Sequence, residues 1–128
     1  MKKLFIGFLM MLTGSAWAEW QLVSSTNDGE IYLHYESIRI DGTMRKSWSI
    51  QNLSHRDESG ELSRRINMEH DCENERFHMI SISTHSEPMA QGDEMFNEYL
   101  SNSEWHDIEQ ATSMATILEI VCSKLPTP

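Results

Sequence analysis

The chain has 128 residues, with twenty aspartates and glutamates against ten lysines and arginines, for a formal charge of −10 at neutral pH. A chain this long carries one ordinary domain with a modest core. Its negative charge excludes nucleic acid and anionic lipid as general partners, because binding phosphate requires the opposite sign. At the start, Lys2 and Lys3 form a positive n-region, Leu4 to Leu12 an apolar h-region, and Ala16-Trp17-Ala18 a small-x-small cleavage signal, so residues 1–18 read as a secretory signal peptide. The apolar run is shorter than the roughly 20 residues of a spanning helix, so cleavage before Glu19 is expected, with no membrane insertion afterwards. No cysteine lies near the cleavage point to take a lipid anchor. The expected product is a single domain, 19–128, in the periplasm or cell envelope or secreted, with a charge of −12 once Lys2 and Lys3 are lost from −10.

Trp20 to Ser25 reads as a first strand, followed by an Asn27-Asp28-Gly29 turn and a second strand over Glu30 to Tyr35, where Ile31, Leu33 and Tyr35 alternate with Tyr32 and His34. Asp41-Gly42 is the strongest turn signal in the chain and joins Ser37–Ile40 to a strand over Met44 to Leu53. Within it Met44, Trp48 and Ile50 share one parity and Arg45, Ser47, Ser49 and Gln51 the other. Ser54 to Glu61 is polar, has nothing to bury, and reads as a loop. From Leu62 to Thr84 the alternation is clearest: Leu62, Ile66, Met68 and Cys72 lie on one parity, and a polar Glu73-Asn74-Glu75 turn leads into Arg76–Thr84, predicting a hairpin. Pro88 and Gly92 mark another turn, after which Glu94 to Tyr99 reads as a short edge strand.

Near the end the period changes. Met114, Ile117, Ile120 and Val121 recur at three and four residues, with Leu118, Cys122 and Leu125 widening the stripe, which predicts an amphipathic helix over about Ser113–Leu125. Thr112 or Ser113 can cap its start and Pro126 helps to stop it. The chain has two cysteines, Cys72 and Cys122. In an oxidising compartment such a pair reads as a disulfide, and a lone pair 50 residues apart lacks the close spacing of a structural zinc site. The fold expected is α+β: an antiparallel sheet of about five or six strands with one C-terminal helix on one face, tethered by the disulfide.

No G-x-S-x-G, H-E-x-x-H, P-loop or C-x-x-C motif occurs, so no catalytic residue, cofactor or resident metal is expected. Met68, His70 and His78 form a soft donor set that would suit copper if they met across the hairpin, but Met68 also reads as core filler. A polar, arginine-bearing sheet surface is the better candidate. Residues 39–76 hold seven of the ten basic residues, so such a surface has to be built there, from Arg45, Ser47, Ser49, Gln51, Ser63, Arg65 and Asn67, with Phe77 and Met79 as an apolar spot. Of these, Arg45, Gln51, Arg65 and Phe77 are the partner-binding candidates. Trp105 reads as a core plug.

Trp20, Ile31-Tyr32, Ser37-Ile38, Trp48, Ser63, Asp71-Cys72, Trp105 and Val121-Cys122, taken in order, resemble the surface-adhesin protein E family of bacterial exported domains. The resemblance spans nearly the whole mature chain. It implies a small antiparallel sheet with a disulfide-tethered C-terminal helix and a bacterial envelope location; the family's namesake is an adhesin that binds host matrix and serum proteins, while many relatives have no known role. The expectation is therefore an exported, acidic, non-catalytic binding domain that engages a protein partner through its open sheet face or loops. The alternative is a periplasmic small-molecule or metal-ion binding protein.

Overall fold

The computed structural model describes residues 19–124, so the signal peptide expected over 1–18, and Leu125 and Pro126 at the expected end of the helix, lie outside the described residues. The strands are β1 (Gln21–Thr26), β2 (Gly29–Leu33), β3 (Arg39–Asp41), β4 (Met44–Leu53), β5 (Ser63–Asp71), β6 (Arg76–Glu87), β7 (Gln91–Tyr99) and β8 (His106–Asp107). A 3-10 turn over Tyr35–Ser37 links β2 to β3, and α1 (Ser113–Ser123) closes the chain. All pairings are antiparallel, in the order β1-β2-β4-β5-β6-β7, with β3 on β4 and β8 on β6. Tight turns set this order. At the first, Gly29 has φ 144°, and a Cβ there would collide with the carbonyl of Asn52, so only glycine lets β2 start against the end of β4.

The helix lies over the β1-β2-β4 end of one face. Thr112 caps it, its hydroxyl accepting from the Ala115 N–H at 3.2 Å. Its stripe drives Ile117 and Val121 against Leu33 and Ile38, and these four make the buried cluster beneath the helix, flanked by Val23, Ile31 and Met114. Burying each of Ile117 and Val121 stabilises the fold by roughly 1.5–3 kcal/mol.

The alternation in β4 runs opposite to its apolar pattern. Arg45, Ser47 and Ser49 face the helix and are buried, whereas Trp48 lies on the other face. The Arg45 guanidinium donates to the carbonyls of Gly42, Met44 and Lys124, the last just beyond the helix C-terminus, where a cation complements the helix dipole. The small serines leave room for the helix to approach. On the opposite face Ile50 and Asn52 are also buried, so this central strand is covered on both sides and its parity cannot be read from which residues are oily.

Cys72 and Cys122 are bonded, with Cα atoms 5.8 Å apart, fastening the β5–β6 hairpin to the last turn of α1. Asp71 organises that hairpin end. Its carboxylate accepts from the N–H groups of Glu73 and Asn74, the Asn74 side chain and Arg76 Nε, and these bonds, led by Asn74, hold its pKa below the usual value. The β6–β7 turn is strained, since Met89 and Ala90 both have positive φ, at 59° and 56°. Two residues from elsewhere in the sheet hold it. Asn52 Oδ1 accepts from the Met89 N–H at 2.8 Å, while Ser63 Oγ donates to the Glu87 carbonyl at 2.6 Å and accepts from the Ala90 N–H at 2.9 Å. Ser63 is fully buried, so Ser63→Ala strands two backbone groups and is expected to cost about 2 kcal/mol. Urea denaturation with an unchanged midpoint would refute this.

Candidate binding face

Because the pairing is in register, the face away from the helix can be read as rows of side chains. One row crosses all six main strands: Leu22, Tyr32, Ile50, Arg65, Ser83 and Asn97. The next carries Trp48, Asn67, Ser81 and Tyr99. Arg65 is exposed and its guanidinium carbon lies 4.4 Å from the centroid of the Trp48 ring. Among the described residues no carboxylate pairs with it. The charge is therefore held in place by an aromatic face and available to an outside acceptor. Desolvation, with Glu30 second, raises the Tyr32 pKa, so this phenol stays neutral. His85, buried at the same end, hydrogen-bonds to the Ser83 hydroxyl at 2.8 Å. Burial lowers its pKa, Glu94 opposes that shift, and Arg65 adds to it.

A second arginine on this face also lies over a tryptophan: Arg76 is 4.6 Å from the Trp105 ring centroid and paired with Asp71 at 3.0 Å. Trp105 is thus half-buried at the rim and not in the core, because β8 pairs with β6 and draws this segment across the sheet surface. Its ring packs against that of His78, with centroids 4.3 Å apart and the planes tilted by 54°. His78 reaches Glu69 through Nε2 at 2.9 Å and Ser103 Oγ through Nδ1 at 2.8 Å. A serine, a histidine and a carboxylate in line resemble a nucleophile relay. Here, however, the Ser103 hydroxyl donates to the Met79 carbonyl, and the chain of bonds works as a strut holding this segment to β6.

The four residues expected to form one binding surface do not share a face. Arg65 faces outward. Arg45 is buried in the row Arg45–His70–Phe77 on the helix side, with Phe77 half-buried between His70 and His106. Gln51 is half-buried on that same side, in line with Ile31 and Arg64. The assumed parity of β4 put Arg45 and Gln51 beside Arg65, and the register separates them. Phe77 was misplaced for a related reason, since a register shift between Asn67 and Met68 moves the phase of β6 relative to β5. The same geometry divides Met68 and His70 from His78, which pairs with Glu69 on the outward face. Among the described residues no group of three histidine, cysteine, aspartate or glutamate side chains is placed to hold a metal ion. The alternation groups Trp48 with Ile50 on one face of β4 but does not mark it as a site residue; only the register brings it under Arg65.

Sheet, helix, tether and an uncompensated arginine at the centre of a polar face define a small binding scaffold. A family model for surface-adhesin protein E matches residues 20–123, and the chain belongs to that family. It is thereby a member of an adhesin class, whose work is binding. Among solved structures it is similar to Haemophilus influenzae protein E. For crystal form II the TM-score is 0.59 at 18% identity, covering 83% of this chain and 88% of that one. For the selenomethionine form it is 0.58 at 16%, covering 83% and 87%. For protein E from non-typeable H. influenzae it is 0.54 at 15%, covering 80% and 75%. At these identities the likeness establishes the fold. No match was found among curated protein sequences. No helix among the described residues is long and apolar enough to cross a membrane.

Proposed function

We propose that this chain is an exported, non-catalytic adhesin-like domain that grips a protein partner with the face opposite its helix. The signal sequence at residues 1–18 supports export to the cell envelope, and membership of the surface-adhesin protein E family supports a binding role. The observation that carries the assignment to this face is Arg65, exposed, without a carboxylate partner among the described residues, and set over the Trp48 ring in the middle of the sheet. Arginine and tryptophan are the residues on which binding energy most often concentrates, and a guanidinium already held over a ring loses less freedom when it meets a carboxylate.

The test is adhesion of beads coated with the mature chain to epithelial cells and to extracellular protein layers. Arg65→Glu is expected to weaken attachment roughly thirtyfold, the effect of losing about 2 kcal/mol at a central contact, and Trp48→Ala similarly. Lys46→Glu, exposed in a neighbouring row, should have a much smaller effect. Unchanged adhesion by an Arg65→Glu protein that melts normally would remove the face from consideration.

A further inference from the structure

The sheet ends at β7, and this edge is unusual in its openness. All nine residues from Gln91 to Tyr99 are exposed, and β6 is the strand's only partner in the sheet order among the described residues. The other edge, β1, is shorter at six residues and is packed against by the helix. An edge strand paired on one side presents a row of main-chain N–H and C=O groups to solvent, a ready template for one more strand.

Two further features say what that strand would be. Asp93, Glu94 and Glu98 give β7 three acids and no lysine or arginine, a field that attracts basic segments. Three large apolar side chains also stand out from it, with Met95 46%, Phe96 49% and Tyr99 73% exposed. Met95 and Phe96, with Ile82 and Thr84 of β6 and with Glu61 and Arg64, line an open groove of about 520 Å³ alongside the edge. The groove lies on the helix side of the sheet but beyond the helix, which packs on the β1-β2-β4 end. Its cation is already engaged: Arg64 is paired with Glu61 at 2.8 Å and Asp57 at 3.2 Å.

We propose that the free edge of β7 takes up an extended basic polypeptide segment as an added strand, with a bulky apolar side chain of that segment seated in the groove beside Phe96. Main-chain hydrogen bonds supply the affinity, and the acids and the groove select the sequence. A second copy of this chain is a poor occupant, because pairing β7 with itself brings two sets of three carboxylates together. The groove lies on the sheet side opposite Arg65, so Arg65→Glu is expected to leave strand addition intact.

The probe is a synthetic nine-residue peptide, matched to β7 in length, alternating lysine with valine and phenylalanine. It would be titrated into the mature chain by calorimetry, with amide exchange followed by NMR. The expected result is slowed exchange confined to residues 91–99 and their partners in β6, and weaker binding as salt rises. Affinity should fall roughly tenfold or more when lysines are replaced by glutamates, when Asp93, Glu94 and Glu98 are together changed to lysine, or when alternate peptide nitrogens are methylated. N-methylation separates strand addition from simple charge attraction. Binding indifferent to methylation, protection appearing on another strand, or no binding by a protein that melts normally would overturn the proposal. So would sedimentation showing the free protein already dimeric through β7.

Discussion

Replacing Cys72 and Cys122 together with serine is expected to destabilise the domain by about 4 kcal/mol, the loop-closure value for cysteines 50 residues apart. Domains of this size have roughly 5–15 kcal/mol in total, so the variant should be partly unfolded at physiological temperature. The loss should concentrate in the helix. Apart from the bond, α1 is held by the Ile117 and Val121 contacts, a hydrogen bond between the Ser24 and Ser113 hydroxyls, and the Arg45 guanidinium at Lys124. Urea denaturation with and without reductant measures the difference. A midpoint that does not move on reduction would show that packing alone holds the helix down.

Acid is expected to weaken the fold well before carboxylates begin to titrate. His70 is 0% exposed, neither ring nitrogen has a hydrogen-bond partner among the described residues, and burial pushes its pKa down to about 4. The unfolded chain holds this imidazole near 6.5. Because the folded pKa is the lower one, the unfolded state binds the proton first. Stability is therefore complete above about pH 6.5 and declines as pH falls toward 4, by about 3 kcal/mol in all. His85 is shifted the same way and adds to the slope. Asp57, held down to about 2 chiefly by the Ser59 hydroxyl, and Asp71, lowered by Asn74 and Arg76, lose their contributions only below about pH 4. The two windows are thus distinct. His70→Leu should flatten the stability profile between pH 6.5 and 4 while leaving the more acidic limb; an unchanged slope would assign the acid sensitivity to other groups.

Much of the architecture was legible because local signals and tertiary fold agree. Asp41-Gly42 turns where it should, the period of three and four near the end becomes α1 with Thr112 as its cap, and the Leu62–Thr84 stretch becomes the β5–β6 hairpin. The binding face was less legible, and β4 shows why. Alternation reveals which side of a strand is buried only when one side is. β4 has Ser49 beneath the helix on one face and Ile50 buried on the other, so its oily residues pointed the wrong way and carried Arg45 and Gln51 with them. β7 failed differently: exposed on both sides, it has no burial pattern to announce its length, and the expected short strand proved to be nine residues. Trp105 was assigned to the core by size, whereas its place was set by the pairing of His106 and Asp107 with β6.

The tether also orders events in time. Cys122 is synthesised fifty residues after Cys72, and Ile117 and Val121, the helix's half of the cluster they form with Leu33 and Ile38, arrive with it. A chain still being made therefore has a sheet not yet covered by its helix and a thiol with no mate. The bond can therefore close only once the final stretch has been made, on an almost complete polypeptide.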